Sequence, residues 1–529
     1  MSWEIIEPEY REIQRKYGVS RLTAMLMSAS GLDESQAREL LDPSMRLFTS
    51  KAKCVLDAVE RIMLAKKKDE KVFVGGDYDA DGVCATTIMK DTLDRLGIVN
   101  GYYIPDRFKE GYGLAASTVE KAHEKGYSLV ITVDNGVKAH EAIEKAHSLG
   151  MEVIVTDHHR IEEEVKADIV VHPDYMEESC AYFCGAAVAL QLSRNLLGYN
   201  RAHTVLAAIA SIGDVMPMWR ETRKIVKHGL DLLNNRQVLP SVQALIKTPY
   251  VDETTISFHV VPKINSVGRM NDISNVNSLV RFLACQDMNQ VLHYAQQLEN
   301  VNDARKSLSS SEAEKALKLC GDEMFPIIYD ASFHEGICGL VAGKLAASLK
   351  KPVLVMARNG DLVKGSGRSV EGFDMFAFFS DFEELSAFGG HAMAVGLSVE
   401  ESRFEEFRSH AQKKMESMPF HFEPPVRKAI KIDPKDATFE EIDGLRRLSP
   451  YPRDMIAPYF VIEAPFVKTF SSEKVVRYAP KAEECLLEGV LFAQKEIEAI
   501  EHPCRLVGTL GVNRYRDKVI CQMEIEDMS

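Results

Sequence analysis

Between residues 71 and 173 the apolar positions follow two alternating rhythms. "KVFVGG" (71–76), "GYYIP" (101–105), "SLVITVD" (128–134), "EVIVTD" (152–157) and "ADIVVHP" (167–173) are short apolar runs rich in β-branched residues, the signature of buried strands. Between most of them lie stretches such as "TTIMKDTLDRLG" and "AHEAIEKAHSLG", whose apolar residues recur at helical spacing. This alternation predicts a parallel sheet with crossover helices. Residues 1–55 read as short helices. Residues 183–235 read as mainly helical. Residues 274–320 contain "NQVLHYAQQLENVNDARKSLSSSEAEKALKL", polar and free of Gly and Pro until Gly321, which predicts a linking helix. A second α/β unit follows over 321–420. There "MFPIIYD" and "PVLVMA" flank the helical "GLVAGKLAASLK", and the Gly-rich "KGSGRS" and "FGGHAMAVG" come next. The Pro-containing "PFHFEPPVRK" marks a boundary near 420. "YFVIEAPFV", "EGVLFAQK", "RLVGTLGV" and "KVICQMEI" then predict a mostly β domain over 421–529.

Composition adds limits. The chain has 529 residues, 46% hydrophobic and 27% charged, which fits two to four soluble domains. No run reaches the length of a membrane span, and the charged N-terminus lacks a signal-peptide core. Ten cysteines form no ligand or framework spacing, and Cys180 and Cys184 read as packing residues. A reducing, cytoplasmic setting fits. Net charge is −14, which argues against a general nucleic-acid coat but leaves room for a local basic channel. Over 340–370, Lys344, Lys350, Lys351, Arg358, Lys364 and Arg368 stand against a single acid, Asp361.

The candidate chemistry sits at the strand ends. Asp77, Asp79 and Asp81 follow "KVFV", Asp134 ends "SLVITVD", and Asp157, His158 and His159 end "EVIVTD". In a parallel sheet these residues meet at one carboxyl edge. Asp214, in "ASIGDVMP", follows a helical apolar run and can reach the same edge. So many acids in one place are costly unless cations neutralise them. Mixed carboxylate and imidazole donors suit Mn²⁺, with Mg²⁺ as a substitute. Two such ions can clamp a phosphoryl group.

"GDYDADG", "TVDNG", "VTDHH" and "ASIGDVMP" resemble the successive motifs of the DHH phosphoesterases. "FHEGICGLVAGKL", "KGSGRS" and "FGGHAMAVG" resemble the DHH-associated domain, DHHA1. "IPDRFKEGYGL" and "PKINSVGRM" narrow the resemblance to RecJ-type, single-strand-specific 5′→3′ DNA exonucleases. The resemblance implies an α/β DHH domain over 56–273 and a second α/β DHHA1 domain. A long helix joins the two, and a C-terminal barrel resembling the oligonucleotide-binding (OB) fold follows. It implies that Asp79, Asp81, Asp134, His158 and Asp214 hold two Mn²⁺ ions, with Asp134 as the bridge. His159 would contact the scissile phosphate, and Asp77 would orient the loop or support the ligands. Arg107, Arg269, Ser366 and Arg368 would hold phosphates, with Asn265 supporting that pocket and His391 facing the reacting phosphate. The implied partner is single-stranded DNA, with a helicase and a single-strand-binding protein as candidate protein partners. Two rivals remain open. One is a phosphodiesterase of short oligonucleotides or cyclic dinucleotides, which would share every metal ligand. The other is an inactive replication scaffold, against which the intact acids and histidines argue. Gly75, Phe333 and "LSPYPRDMIAPYF" depart from the usual family pattern without touching a metal ligand.

Overall fold

The chain opens in a strand rather than a helix. β1 (Ser2–Ile6) pairs in parallel with Val426–Ile432. Its partner lies more than 400 residues away, so no local pattern announces it. Short helices follow, Arg11–Tyr17, Arg21–Ala29 and Glu34–Leu41. The computed structural model describes every residue except 1, 45, 107–112, 237–238, 419–421, 423–424, 482–486, 493–496 and 516–517. It contains two compact units. One comprises 45–216 and 224–423, and the other comprises 1–44, 217–223 and 424–529.

The larger unit holds two sheets. The first contains β2 (Lys71–Gly75), β3 (Asn100–Tyr103), β4 (Tyr127–Val133), β5 (Glu152–Thr156) and β6 (Ile169–Val171), all parallel, in the order β3-β2-β4-β5-β6. Val72, Val74, Leu129, Ile131 and Ile154 are fully buried, as strands covered on both faces require. From β2 the chain steps to β3 on one side and then returns to β4 on the other. The strand order therefore reverses at β2, and the crevice outside the carboxyl ends of β2 and β4 is where such a sheet binds ligands.

Helices Gly185–Leu197 and Arg201–Gly213 pack beside the helix that follows β2, Ala80–Leu96. The expected linker over 274–320 is two helices. Asn277–Ala284 ends at an extended Cys285, and Asp287 then caps the 32-residue helix Met288–Leu319 through Asn289 N and Gln290 N. The second sheet contains β7 (Ile327–Tyr329), β8 (Val353–Asn359), β9 (Leu362–Arg368), β10 (Leu385–His391) and β11 (Ala394–Glu400), in the order β10-β11-β9-β8-β7. Only β7 and β8 run parallel. A phenylalanine-rich core built around Phe325, Phe378, Phe379 and Phe407 lies on one face. Helix Cys338–Leu349 packs against β8 and β9.

The smaller unit gathers β1 with β12 (Val426–Ile432), β13 (Tyr459–Glu463), β14 (Phe466–Ser471), β15 (Val475–Pro480), β16 (Leu487–Phe492), β17 (Arg505–Tyr515) and β18 (Lys518–Met528). Their order is β1-β12-β13-β17-β18-β16-β15-β14. Among the described residues no pairing joins β14 to β1, so the strands of the expected OB-like domain form one eight-stranded sheet in which closure into a barrel is not seen. The inserted 217–223 segment is anchored in this unit. Trp219 Nε1 donates to Asp454 Oδ1 at 2.7 Å, and Arg223 donates to the carbonyls of Leu40 and Arg447.

Candidate metal centre and phosphate pocket

The site grows out of three strand ends. After β2 the chain turns through Gly76–Asp79 into the Ala80–Leu96 helix. Asp79 caps that helix, its Oδ1 accepting from Asp81 N at 2.9 Å and Gly82 N at 3.1 Å. Asp81, in the first turn, accepts from Gly185 N and Ala186 N, both at 2.7 Å. The N-terminus of helix Gly185–Leu197 is thus aimed at a carboxylate, which both its free N–H groups and its dipole favour. A Cβ built on Gly185 would lie 2.5 Å from Asp134 Cβ. Only glycine lets this helix end approach so closely.

After β4, Asp134 takes a left-handed conformation, φ 60, uncommon for a residue with a Cβ and typical of functional turns. Its N–H is held by Thr156 O at 3.0 Å. After β5, Asp157 is fully buried. It accepts from Val137 N at 3.0 Å, His158 N at 2.7 Å, His159 N at 3.1 Å and His159 Nδ1 at 2.8 Å. Its lone pairs are spent on shaping the turn and on holding His159 through Nδ1. Asp214 terminates helix Arg201–Gly213, with Val215 at φ 55 turning the chain away.

These ends converge. His158 Nε2 lies 3.2 Å from Asp134 Oδ1, 3.6 Å from Asp81 Oδ2 and 3.7 Å from Asp214 Oδ2. Three triads have donor atoms within 4.8 Å of one another: Asp134, His158 and His159; Asp81, His158 and Asp214; and Asp77, Asp79 and Asp134. Asp134 and His158 each belong to two of them. Asp77 belongs to the third of these, beside Asp79 and Asp134.

The electrostatics match the geometry. Burial, then the charges of Asp81, Asp79 and Asp77, push Asp134 well above the carboxylate range. Burial and Asp81 raise Asp79. Burial lowers His158 toward its neutral, ligating form. His159 behaves oppositely: burial pulls it down, but the bond to and charge of Asp157 bring it up to about 9. Bare carboxylates held this close repel, and divalent cations remove that cost. The oxygen and imidazole donor set fits such ions.

Beside the centre, and sharing Asp79 with it, lies a cavity of about 310 Å³. Tyr78, Asn265 and Arg269 line one side, and Glu335, Lys364, Ser366 and Arg368 line the other. Asn265 Oδ1 accepts from Ala80 N at 2.8 Å, so its side chain braces the metal loop. Arg269 Nη1 donates to Gly336 O at 3.4 Å, and Arg368 Nη1 to Gly367 O at 2.7 Å. His391 is not among the residues that line this cavity; it ends β10 with an exposed side chain, its Nδ1 accepting from Met393 N at 3.2 Å. Arg107 lies outside the described residues. Sequence reasoning assigned no role to Asp157, Gly185, Glu335 or Lys364. Asp157 was visible beside the two histidines, but the opening of "CGAAVAL" gave no sign of a helix end meeting acids.

Family models match both halves of this site: "DHH family, N-terminal domain" over residues 71–213 and "DHHA1 domain" over 322–417. A Bacillus subtilis protein named single-stranded-DNA-specific exonuclease RecJ is 30% identical, across 100% of this chain and 70% of its own length. A Salmonella typhimurium protein of the same name is 31% identical, across 66% of this chain and 67% of its own length. The chain belongs to the RecJ family of single-stranded-DNA-specific exonucleases. A solved structure of Thermus thermophilus RecJ in complex with Mn²⁺ shares the fold. Its TM-score is 0.84 at 24% identity, covering 100% of this chain and 79% of that one. A RecJ bound to manganese matches at TM-score 0.62 and 26% identity, covering 72% of this chain and 97% of that one. Membership in this family and the acid–imidazole cluster make the chain a divalent-metal-dependent nuclease. No helix among the described residues is long and apolar enough to cross a membrane.

Proposed function

We propose that the chain hydrolyses single-stranded DNA from its 5′ end, releasing 5′-mononucleotides in the cytoplasm, with two Mn²⁺ ions as the working metals. The observation that carries this is the juxtaposition of a carboxylate–imidazole cluster with a cavity lined by arginine, serine and glycine. Asp79, Asp81, Asp134, His158 and Asp214 hold the ions, with Asp77 at the edge of the set and Asp134 between them. When bound, divalent cations at this place neutralise phosphate charge and activate water.

The protein's own groups do the rest. His159, cationic through Asp157, offers its Nε2 proton to a phosphate oxygen. Arg269 and Arg368 grip phosphates through planar, permanently charged forks, and Ser366 adds a hydroxyl. Asn265 fixes the loop that places Asp79. The cavity ends the path of the strand and so sets which linkage lies over the cluster.

The test is digestion of end-labelled single-stranded and duplex DNA with Mn²⁺, Mg²⁺ or EDTA. Mononucleotides should appear from single strands only. A bulky 5′ block should stop the reaction, and the same block at the 3′ end should not. Asp134→Ala and EDTA should each abolish cleavage. Undiminished cleavage in either case, or the reverse polarity, refutes the assignment.

A further inference from the structure

Two of the basic residues over 340–370 face the cavity beside the metal centre. Alternate residues of a strand point to one face, and along β9 Lys364, Ser366 and Arg368 line the cavity. The glycines between them face the other way. A Cβ on Gly365 would lie 2.7 Å from Met356 Cγ, and one on Gly367 would lie 2.3 Å from Met375 Sδ, and both methionines belong to the phenylalanine-rich core. Other cations of the run are engaged elsewhere: Arg358 pairs with Glu401 at 2.9 Å, and Lys351 donates to the carbonyls of Asp322 and Glu323.

The cavity is not purely basic. Glu335, in the turn that leads into helix Cys338–Leu349, lines it together with Arg269, Lys364 and Arg368. Apart from Asp79, it is the one acid among the described residues that do so. Glu335 Oε1 lies 3.2 Å from Lys364 Nζ, and its Oε2 accepts from Asn359 Nδ2 at 2.5 Å. Asn359 ends β8 and pairs with Leu362 of β9, so one hairpin holds both oxygens of the carboxylate. The side chains of Lys364 and Glu335 are only 24% and 23% exposed, which limits screening of their charges.

A phosphate on a strand end carries about two negative charges near neutral pH. One that comes to Lys364 meets a carboxylate already there, and like charges brought together oppose binding. The consequence falls on the product. Hydrolysis of the first linkage leaves the terminal phosphate on the freed mononucleotide, which has to quit the cavity before the strand can advance. We propose that Glu335 is a built-in competitor of the strand's 5′-phosphate for Lys364, weakening the hold of the cavity on that phosphate and so easing release of the mononucleotide. This rests on the reading of the cavity as the end of the strand's path.

The experiment measures equilibrium binding of dT12, with a 5′-phosphate or a 5′-hydroxyl, to the full chain in EDTA, where turnover is halted. The parent should prefer the phosphorylated end. Glu335→Gln removes the charge and keeps an oxygen for Asn359. It should raise the preference about three- to tenfold at about 50 mM salt and by less at about 500 mM, where charges are screened. Lys364→Gln should lower the preference. The 5′-hydroxyl strand should change less than twofold in both variants. With Mn²⁺ present, the inhibition constant of dTMP against digestion should fall in Glu335→Gln by the same factor, and that of thymidine should stay. A parent that binds both ends alike overturns the reading of the cavity and the role of Glu335 together. A parent that prefers the phosphate, with Glu335→Gln matching it or preferring it less, overturns the role of Glu335 alone. A gain in Glu335→Gln that is equal for the two ends reports a general effect of charge or shape and also overturns it.

Discussion

At the scale of single residues, Asp157 stands apart from the acids proposed to hold ions, because it is engaged by the turn around them. Asp157 spends its oxygens on three backbone N–H groups and on His159 Nδ1. It thereby fixes the tautomer and orientation of an imidazole beside the cluster. Outer partners of this kind typically govern ten- to hundredfold in activity or metal affinity. Asp157→Asn should lower kcat by about that factor. In the metal-free chain, NMR titration should find His159 near 9 in the parent and closer to 6.5 in the variant. Because the folded value is raised, the stability that the pair supplies is complete below about 6.5 and is lost as pH rises through about 9. The gap in melting temperature between parent and variant should therefore be widest at pH 6 and close above pH 9. A gap that does not vary with pH, or an unshifted imidazole, contradicts the pairing.

At the scale of elements, the strands of the parallel sheet were legible because each buries an apolar run and ends in a change of chemistry, as where Val133 gives way to Asp134. The acids were legible for the same reason. What stayed hidden depends on contacts distant in sequence. β1 is five residues whose partner is β12, and the end of the long helix's forerunner at Cys285 has no Gly or Pro to mark it. Gly185 shows the same limit most sharply, since its role is the room left by a missing Cβ. Gly185→Ala should force the helix end away from Asp134, costing about 1–3 kcal/mol of stability and most of the metal affinity. Gly511→Ala, with nothing within 4 Å, serves as the control. Calorimetric metal binding and urea unfolding check both, and normal metal affinity in Gly185→Ala contradicts the close-approach argument.

At the scale of the whole molecule, a chain of net charge −14 must bind a polyanion through local arrangements that oppose its overall field. The carboxyl edge of the parallel sheet makes this harder, since it concentrates Asp77, Asp79, Asp81, Asp134 and Asp214 where phosphate has to come. Cations bound there would resolve both conflicts at once: they would quench repulsion among the acids and reverse the sign that the substrate meets. The folded state then binds metal far better than the unfolded one, in which the same residues are dispersed along 138 positions of chain from Asp77 to Asp214. Linkage follows. At a free concentration one hundred times the dissociation constant, a single ion should add about 2.7 kcal/mol to stability, raising the melting temperature by several degrees. Mn²⁺ and Mg²⁺ should each produce the rise, EDTA should reverse it, and it should grow with the logarithm of metal concentration. Asp134→Ala should be more stable than the parent in EDTA, because it removes the most disfavoured charge, and should gain little from metal. That crossover separates an ion site from a merely structural acid cluster. A parent chain whose melting temperature ignores millimolar metal, or an Asp134→Ala variant that responds as the parent does, removes the basis for ions at this edge.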